Sequence, residues 1–121
     1  MGNRILKESV CTSTSIEGLS WFDEVCFYRL LVQCDDFGRM DARAAILRSR
    51  LFPLKDEVKN SDVEDSIRRL EERGMVGLYE NDGIRYLQVL NWNKHQKIRH
   101  KRSKFPPAPW ETIAPKEEKE V

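Results

Sequence analysis

Ser61-Asp62-Val63-Glu64-Asp65-Ser66-Ile67-Arg68-Arg69-Leu70-Glu71-Glu72-Arg73-Gly74, followed directly by Met75-Val76-Gly77-Leu78-Tyr79-Glu80-Asn81-Asp82-Gly83-Ile84-Arg85-Tyr86-Leu87-Gln88-Val89-Leu90, is the stretch that decides the fold. Its first half reads as a helix. Ser61 and Glu64 have the spacing of a capping box, in which the serine caps the chain end and the glutamate reaches back to its amide. Val63, Ile67 and Leu70 recur at helical spacing, and Gly74 is placed to end the helix. The second half reads as a hairpin. Residues 75–80 and 84–90 are strand-like, and Asn81-Asp82-Gly83 is a turn of the kind that joins paired strands. Tyr79 and Tyr86 fall where they pack across such a hairpin.

Upstream, Ser20-Trp21-Phe22-Asp23 opens a second strong helical signal. Ser20 is a good N-cap, and Asp23 sits where a carboxylate meets the free amides of a first turn. Trp21, Phe22, Val25, Cys26, Phe27, Leu30, Leu31 and Cys34 cover more than one face, which predicts a buried central helix. Asp35-Asp36-Phe37-Gly38 stops it, with Gly38 able to turn left-handed. Arg39-Met40-Asp41 reads as a short extended link, and residues 42–51 as a further helix closed by Phe52-Pro53. Ile5, Val10 and Cys11 favour an extended strand over residues 4–11.

Helix, short strand, helix, helix, hairpin is the order of a winged helix-turn-helix: mainly α with a small β-hairpin, three helices plus a wing. The expected organisation is a domain over 1–92, whose residues 1–19 form an arm, then a basic segment over 93–105. A Pro-rich and charged tail over 106–121 follows. Residues 105–110 should be extended, and the tail is expected to be disordered.

The chain has 121 residues, one domain's worth, with 34% charged residues and a net charge of only +1. Its apolar runs are too short for a membrane span, and the first residues lack the apolar centre of a secretory signal, so a cytoplasmic protein is expected. Cys11, Cys26 and Cys34 are an odd set with no close pair, which argues against a disulfide framework or a zinc site. Cys26 and Cys34 read as small core residues. There is no Gly-rich phosphate loop, no metal-ligand spacing and no nucleophile beside an evident base. His95 and His100 lie among lysines with no carboxylate nearby. The expectation is a non-enzyme without catalytic residues, metal or cofactor.

The charge is concentrated although the total is small. Residues 91–106 carry Lys94, Lys97, Arg99, Lys101, Arg102 and Lys104 and no acid. Such a run attracts polyanions through counterion release, and Trp92 and Phe105 at its ends offer flat surfaces for a base. The same run also fits a merely solvated basic segment. On the third helix the expected outward face includes Asp62, Ser66, Arg69 and Arg73. Base reading through Ser66, Arg69 and Arg73 competes there with simple pairing of Glu64 with Arg68 and Asp65 with Arg69. Arg43, Arg48 and Arg50 on the second helix either hold phosphates or snorkel over the core surface. In the hairpin, Arg85 is the candidate for contact with nucleic acid.

A wider pattern joins these pieces. Leu19-Ser20-Trp21-Phe22-Asp23-Glu24-Val25-Cys26-Phe27-Tyr28-Arg29-Leu30-Leu31-Val32, Cys34-Asp35-Asp36-Phe37-Gly38-Arg39 and Leu51-Phe52-Pro53 come first. Tyr86-Leu87, Asn91-Trp92-Asn93-Lys94-His95-Gln96 and Arg102-Ser103-Lys104-Phe105-Pro106 complete it. The succession resembles the N-terminal winged-helix domain of phage and prophage replication proteins, the replisome organizers and DnaD-like primosome components of Gram-positive bacteria. It covers roughly residues 1–107. The resemblance implies a non-catalytic module that binds origin DNA or self-associates, with a separate C-terminal domain for DNA or helicase-loading contacts. This sequence ends soon after the basic segment, so the expectation is a stand-alone module or one whose partner supplies the helicase contact. Partners implied are DNA of either strand form, a second copy as a homodimer, and replication proteins such as a helicase loader. A protein-interaction module and a transcriptional regulator are the alternatives. The latter requires a symmetric dimer matched to a palindromic site.

Overall fold

The structure is a computed structural model that describes residues 3–96, 98 and 102–111. Helices α1 (Thr14–Glu17), α2 (Trp21–Gln33), α3 (Ala44–Leu51), α4 (Asn60–Glu72) and α5 (Trp92–His95) accompany strands β1 (Arg39–Asp41), β2 (Val76–Asn81) and β3 (Ile84–Val89). The expected hairpin is thus part of a three-stranded antiparallel sheet, in the order β1-β3-β2, in a small mixed α/β domain. Met40 pairs with Leu87, and Leu87 with Leu78, so one sheet face is apolar. Against it lies a core of Cys26, Leu30, Leu47, Leu51, Phe52, Val63, Ile67 and Leu70. The opposite face carries Arg39, Gln88 and Gly77 in one row and Asp41, Tyr86 and Tyr79 in the next.

Local chemistry explains the element ends. The Ser20 hydroxyl accepts from the Asp23 amide at 3.1 Å and starts α2. After α2 the Asp35 Oδ1 accepts from the amides of Phe37 and Arg39 at 2.9 and 3.0 Å, folding a tight turn. Gly38 closes that turn at φ +79°, where a Cβ would also sit 2.8 Å from the Trp92 ring. Gly74 ends α4 at φ +74°, with its amide on the Glu71 carbonyl and the Met75 amide on the Leu70 carbonyl. Asp82 and Gly83 both take positive φ, 53° and 79°, as a two-residue hairpin turn requires. Tyr79 and Tyr86 are directly opposite and stack at 5.6 Å.

Several expectations are corrected. Residues 4–11 form no strand; a 3-10 turn covers Glu8–Thr12. The backbone of Ile5 is claimed instead by the Gln96 side chain, which accepts from its amide and donates to its carbonyl, both at 2.8 Å. Arg4 donates to the carbonyls of Leu31 and Cys34, satisfying the end of α2. The α4 capping contact lies earlier than Ser61 and Glu64: Asp62 accepts from the Lys59 amide at 2.9 Å. Helix α3 begins at Ala44 because the Ala42 amide still bonds to the Arg85 carbonyl at 2.8 Å. Packing also continues past residue 92. Gln96 is buried, and over residues 106–111 the chain lies on the sheet rather than disordered, with Ala108 fully buried. The expected disorder over 112–121 lies outside the described residues.

Candidate nucleic-acid interface

Electrostatics on α4 and the hairpin tip oppose phosphate binding. Asp62, Asp65, Glu71 and Glu72 are exposed along α4, and Glu80 and Asp82 at the tip. Arg68 is shared between Glu64 and Asp65, at 3.3 Å from each. Arg69 reaches across to α2 and grips Asp23 with two hydrogen bonds of 2.7 and 3.0 Å. Asp23 is buried, and burial pushes its carboxyl up. The bonds from Arg69, with Ser66 and Ser20 beside it, outweigh burial and hold it below the ordinary carboxylate range. The sequence sets Asp23 over the helix amides and leaves Arg69 between base reading and pairing with Asp65; the observed pair joins two helices instead. Ser66, expected outside, is 0% exposed. Its hydroxyl lies against Asp23 and Cys26 without a well-aligned hydrogen bond, so it cannot read a base.

Of the remaining arginine candidates of the body, all but the exposed Arg50 are also engaged. Arg43 takes both oxygens of Asp41, with Nη2 at 2.5 Å, and this pairing holds the Asp41 carboxyl below its ordinary value. Arg48 donates to the carbonyls of Val58 and Lys55 at 2.8 and 2.9 Å and ties down the α3–α4 connection. Arg73 donates to the Gly18 carbonyl at 2.9 Å. Arg85 is forked onto Glu64 at 2.6 and 2.9 Å and also donates to the Ala42 carbonyl. The Arg85 hydrogen bond holds the Glu64 carboxyl below its usual range. Among the described arginines, only Arg50 and Arg102 make no intramolecular hydrogen bond.

Uncommitted positive charge gathers elsewhere. Near either end of the basic stretch 94–104, or arm, the Gln96 side chain is bonded to Ile5 and the Ser103 hydroxyl donates to Asp35. Lys94, Arg102 and Lys104 are exposed on this arm. Lys97, Arg99 and Lys101 belong to it in sequence but lie outside the described residues. Lys7 lies beside this stretch with one ammonium hydrogen on the Lys94 carbonyl at 3.0 Å; its distance in sequence hid it. Trp92 is corrected as a stacking surface. It is buried, with Nε1 on the Asp36 carbonyl at 2.8 Å and Arg4 over its ring at 5.1 Å. Phe105 is half-buried against Tyr86.

No group of His, Cys, Asp or Glu among the described residues is placed to hold a metal ion. Burial pushes the Cys26 thiol up to about 11, and Cys34 upward as well, which keeps both protonated. No described helix is long and apolar enough to cross a membrane. In comparisons with known proteins, no family model, no curated protein and no solved structure matches the chain.

Proposed function

We propose that this chain is a non-catalytic nucleic-acid-binding module of winged-helix type. Its phosphate contacts run through the 94–104 arm and Lys7 rather than through α4 and the hairpin. One observation carries the reading: Lys94, Arg102 and Lys104 are exposed and uncommitted, whereas the arginines of α4 and the hairpin are bonded within the fold beside exposed acids. A phosphate approaching α4 meets Asp62 and Asp65, and repulsion there offsets attraction to Arg68. The arm itself contributes no acid, since residues 91–106 contain none. Phosphate contact there is indifferent to base sequence. The winged-helix assignment is supported by the order α2-β1-α3-α4-β2-β3 and by α3 packing on α4 and α2. Together with the resemblance of residues 1–107 to phage replication proteins, it supports a role in replication initiation or its control.

Fluorescence anisotropy of labelled duplex and single-stranded DNA at two salt concentrations tests this. The reading expects binding that weakens steeply with salt and is unchanged, within about twofold, in an Arg68→Ala variant. Loss of binding in Arg68→Ala, or none even at low salt, contradicts it.

A second reading, protein docking or self-association, is favoured by one feature. Trp21 is 85% exposed on α2, in line with exposed Val25 and Val32. Light scattering of the free protein separates the two, since a tight dimer indifferent to DNA supports docking.

A further inference from the structure

The outer sheet face is covered by the chain's own C-terminal segment, residues 103–111. Phe105 tilts against Tyr86 at 6.0 Å, and the Tyr79 hydroxyl donates to the Pro106 carbonyl at 2.7 Å. Trp110 stands edge-on to Tyr79 at 5.6 Å and donates from Nε1 to Gln88 at 2.8 Å. Its ring fills the space left by Gly77, where a Cβ would lie 2.6 Å away. Glu111 completes the cover. One carboxylate oxygen accepts from Arg39 at 2.7 Å and from the Ala108 amide at 3.0 Å, and the other accepts from Gln88 at 2.6 Å.

Beneath this strap lie two stacked tyrosines beside a guanidinium and a side-chain amide. That is the chemistry of a nucleotide site: rings for a base, Arg39 and Gln88 for a phosphate. The strap supplies matching groups from within, a carboxylate on Arg39 and an indole and a phenyl ring on the tyrosines. Arg39 is only 8% exposed, yet its Nε has no hydrogen-bond partner. A buried guanidinium N–H left unmet is costly. The Glu111 oxygens are shared with the Ala108 amide and Gln88, whereas the non-bridging oxygens of a backbone phosphate carry no such prior bonds and can turn to it.

We propose that the outer sheet face is a binding site for single-stranded nucleic acid, held shut by the 103–111 strap. The idea rests on the nucleic-acid reading above and deepens it. The basic arm runs directly into the strap at Ser103, so a strand captured by the arm lies beside the strap and competes for Arg39 and the tyrosines. Duplex bases are stacked and paired and cannot use the tyrosines, so opening favours single strands. Apparent affinity is the intrinsic affinity reduced by the fraction of molecules with the strap open.

The test is anisotropy of a labelled mixed-sequence single strand and its duplex with the wild type, Glu111→Gln and Gly77→Ala. Amide exchange of Ala108 and Glu111 is followed alongside. Glu111→Gln removes the charge from the clasp, and Gly77→Ala evicts the Trp110 ring while leaving Arg39, Tyr79 and Tyr86 in place. Each is expected to raise single-strand affinity roughly tenfold with duplex affinity unchanged. Saturating single strand should speed exchange at Ala108 and Glu111. Salt-dependent wild-type binding with no gain in either variant, and unchanged exchange, overturns the strap site alone. No wild-type binding, with single-strand binding by both variants, overturns the arm alone. No binding by any of the three overturns both.

Discussion

Asp23 and Arg69 connect α2 to α4 through a buried carboxylate and a half-exposed guanidinium. Removing the arginine strands the carboxylate. Arg69→Ala should destabilise by about 1–3 kcal/mol in urea melts, toward the low end because solvent reaches the guanidinium. The pH dependence has a definite sign. The folded value of Asp23 lies below its unfolded one, so the pair's contribution is complete above about pH 4 and is lost as pH falls through the folded value. The wild type should therefore lose more stability on acidification below about pH 4 than Arg69→Ala does. Equal losses would place the acid sensitivity elsewhere. Ser66→Ala should leave nucleic-acid binding unchanged, because the hydroxyl is fully buried. Weaker anisotropy signal in that variant would restore Ser66 as a contact.

Elements whose ends depend on neighbouring residues were readable in the sequence. The Ser20 cap, the Gly38 turn, the Gly74 stop and the Asp82-Gly83 turn are local, and each needs one residue type for a stated backbone reason. The α4 start was misplaced because two acids, Asp62 and Glu64, both have capping reach. Arg85, far off in sequence, took Glu64 and left Asp62 to cap. Asp62→Ala should then cost about 1 kcal/mol and Ser61→Ala less than half of that, measured by chemical denaturation. The reverse ranking would restore the Ser61 cap. Gly38→Ala should cost more than about 2 kcal/mol, since strain at positive φ adds to a clash with the Trp92 ring. The anchors of Gln96 and Ser103 and the strap were not readable. Gln96 with Ile5, Ser103 with Asp35 and Glu111 with Arg39 are contacts across most of the chain, and no local pattern announces them.

Charge is partitioned over the molecule as a whole. Arginine is used within the body as a forked donor that ties elements together, a role suited to its planar geometry. Apart from Arg50 on α3, the described arginine without an internal partner, Arg102, and the exposed Lys94 and Lys104 lie on the 94–104 arm, while exposed acids line α4 and the hairpin tip. The sequence shows where basic residues cluster, and the arm was legible on that basis. It does not show which arginines are already satisfied, and so Arg43, Arg48, Arg69, Arg73 and Arg85 looked available until their partners were seen. The proposed phosphate contacts therefore lie on the arm. The most direct test is the salt dependence of duplex binding for the wild type and a Lys97→Ala, Arg99→Ala, Lys101→Ala, Arg102→Ala variant. The slope of log affinity against log salt should fall by about 0.9 for each phosphate contact removed. An unchanged slope in that variant would contradict the assignment of nucleic-acid binding to the arm.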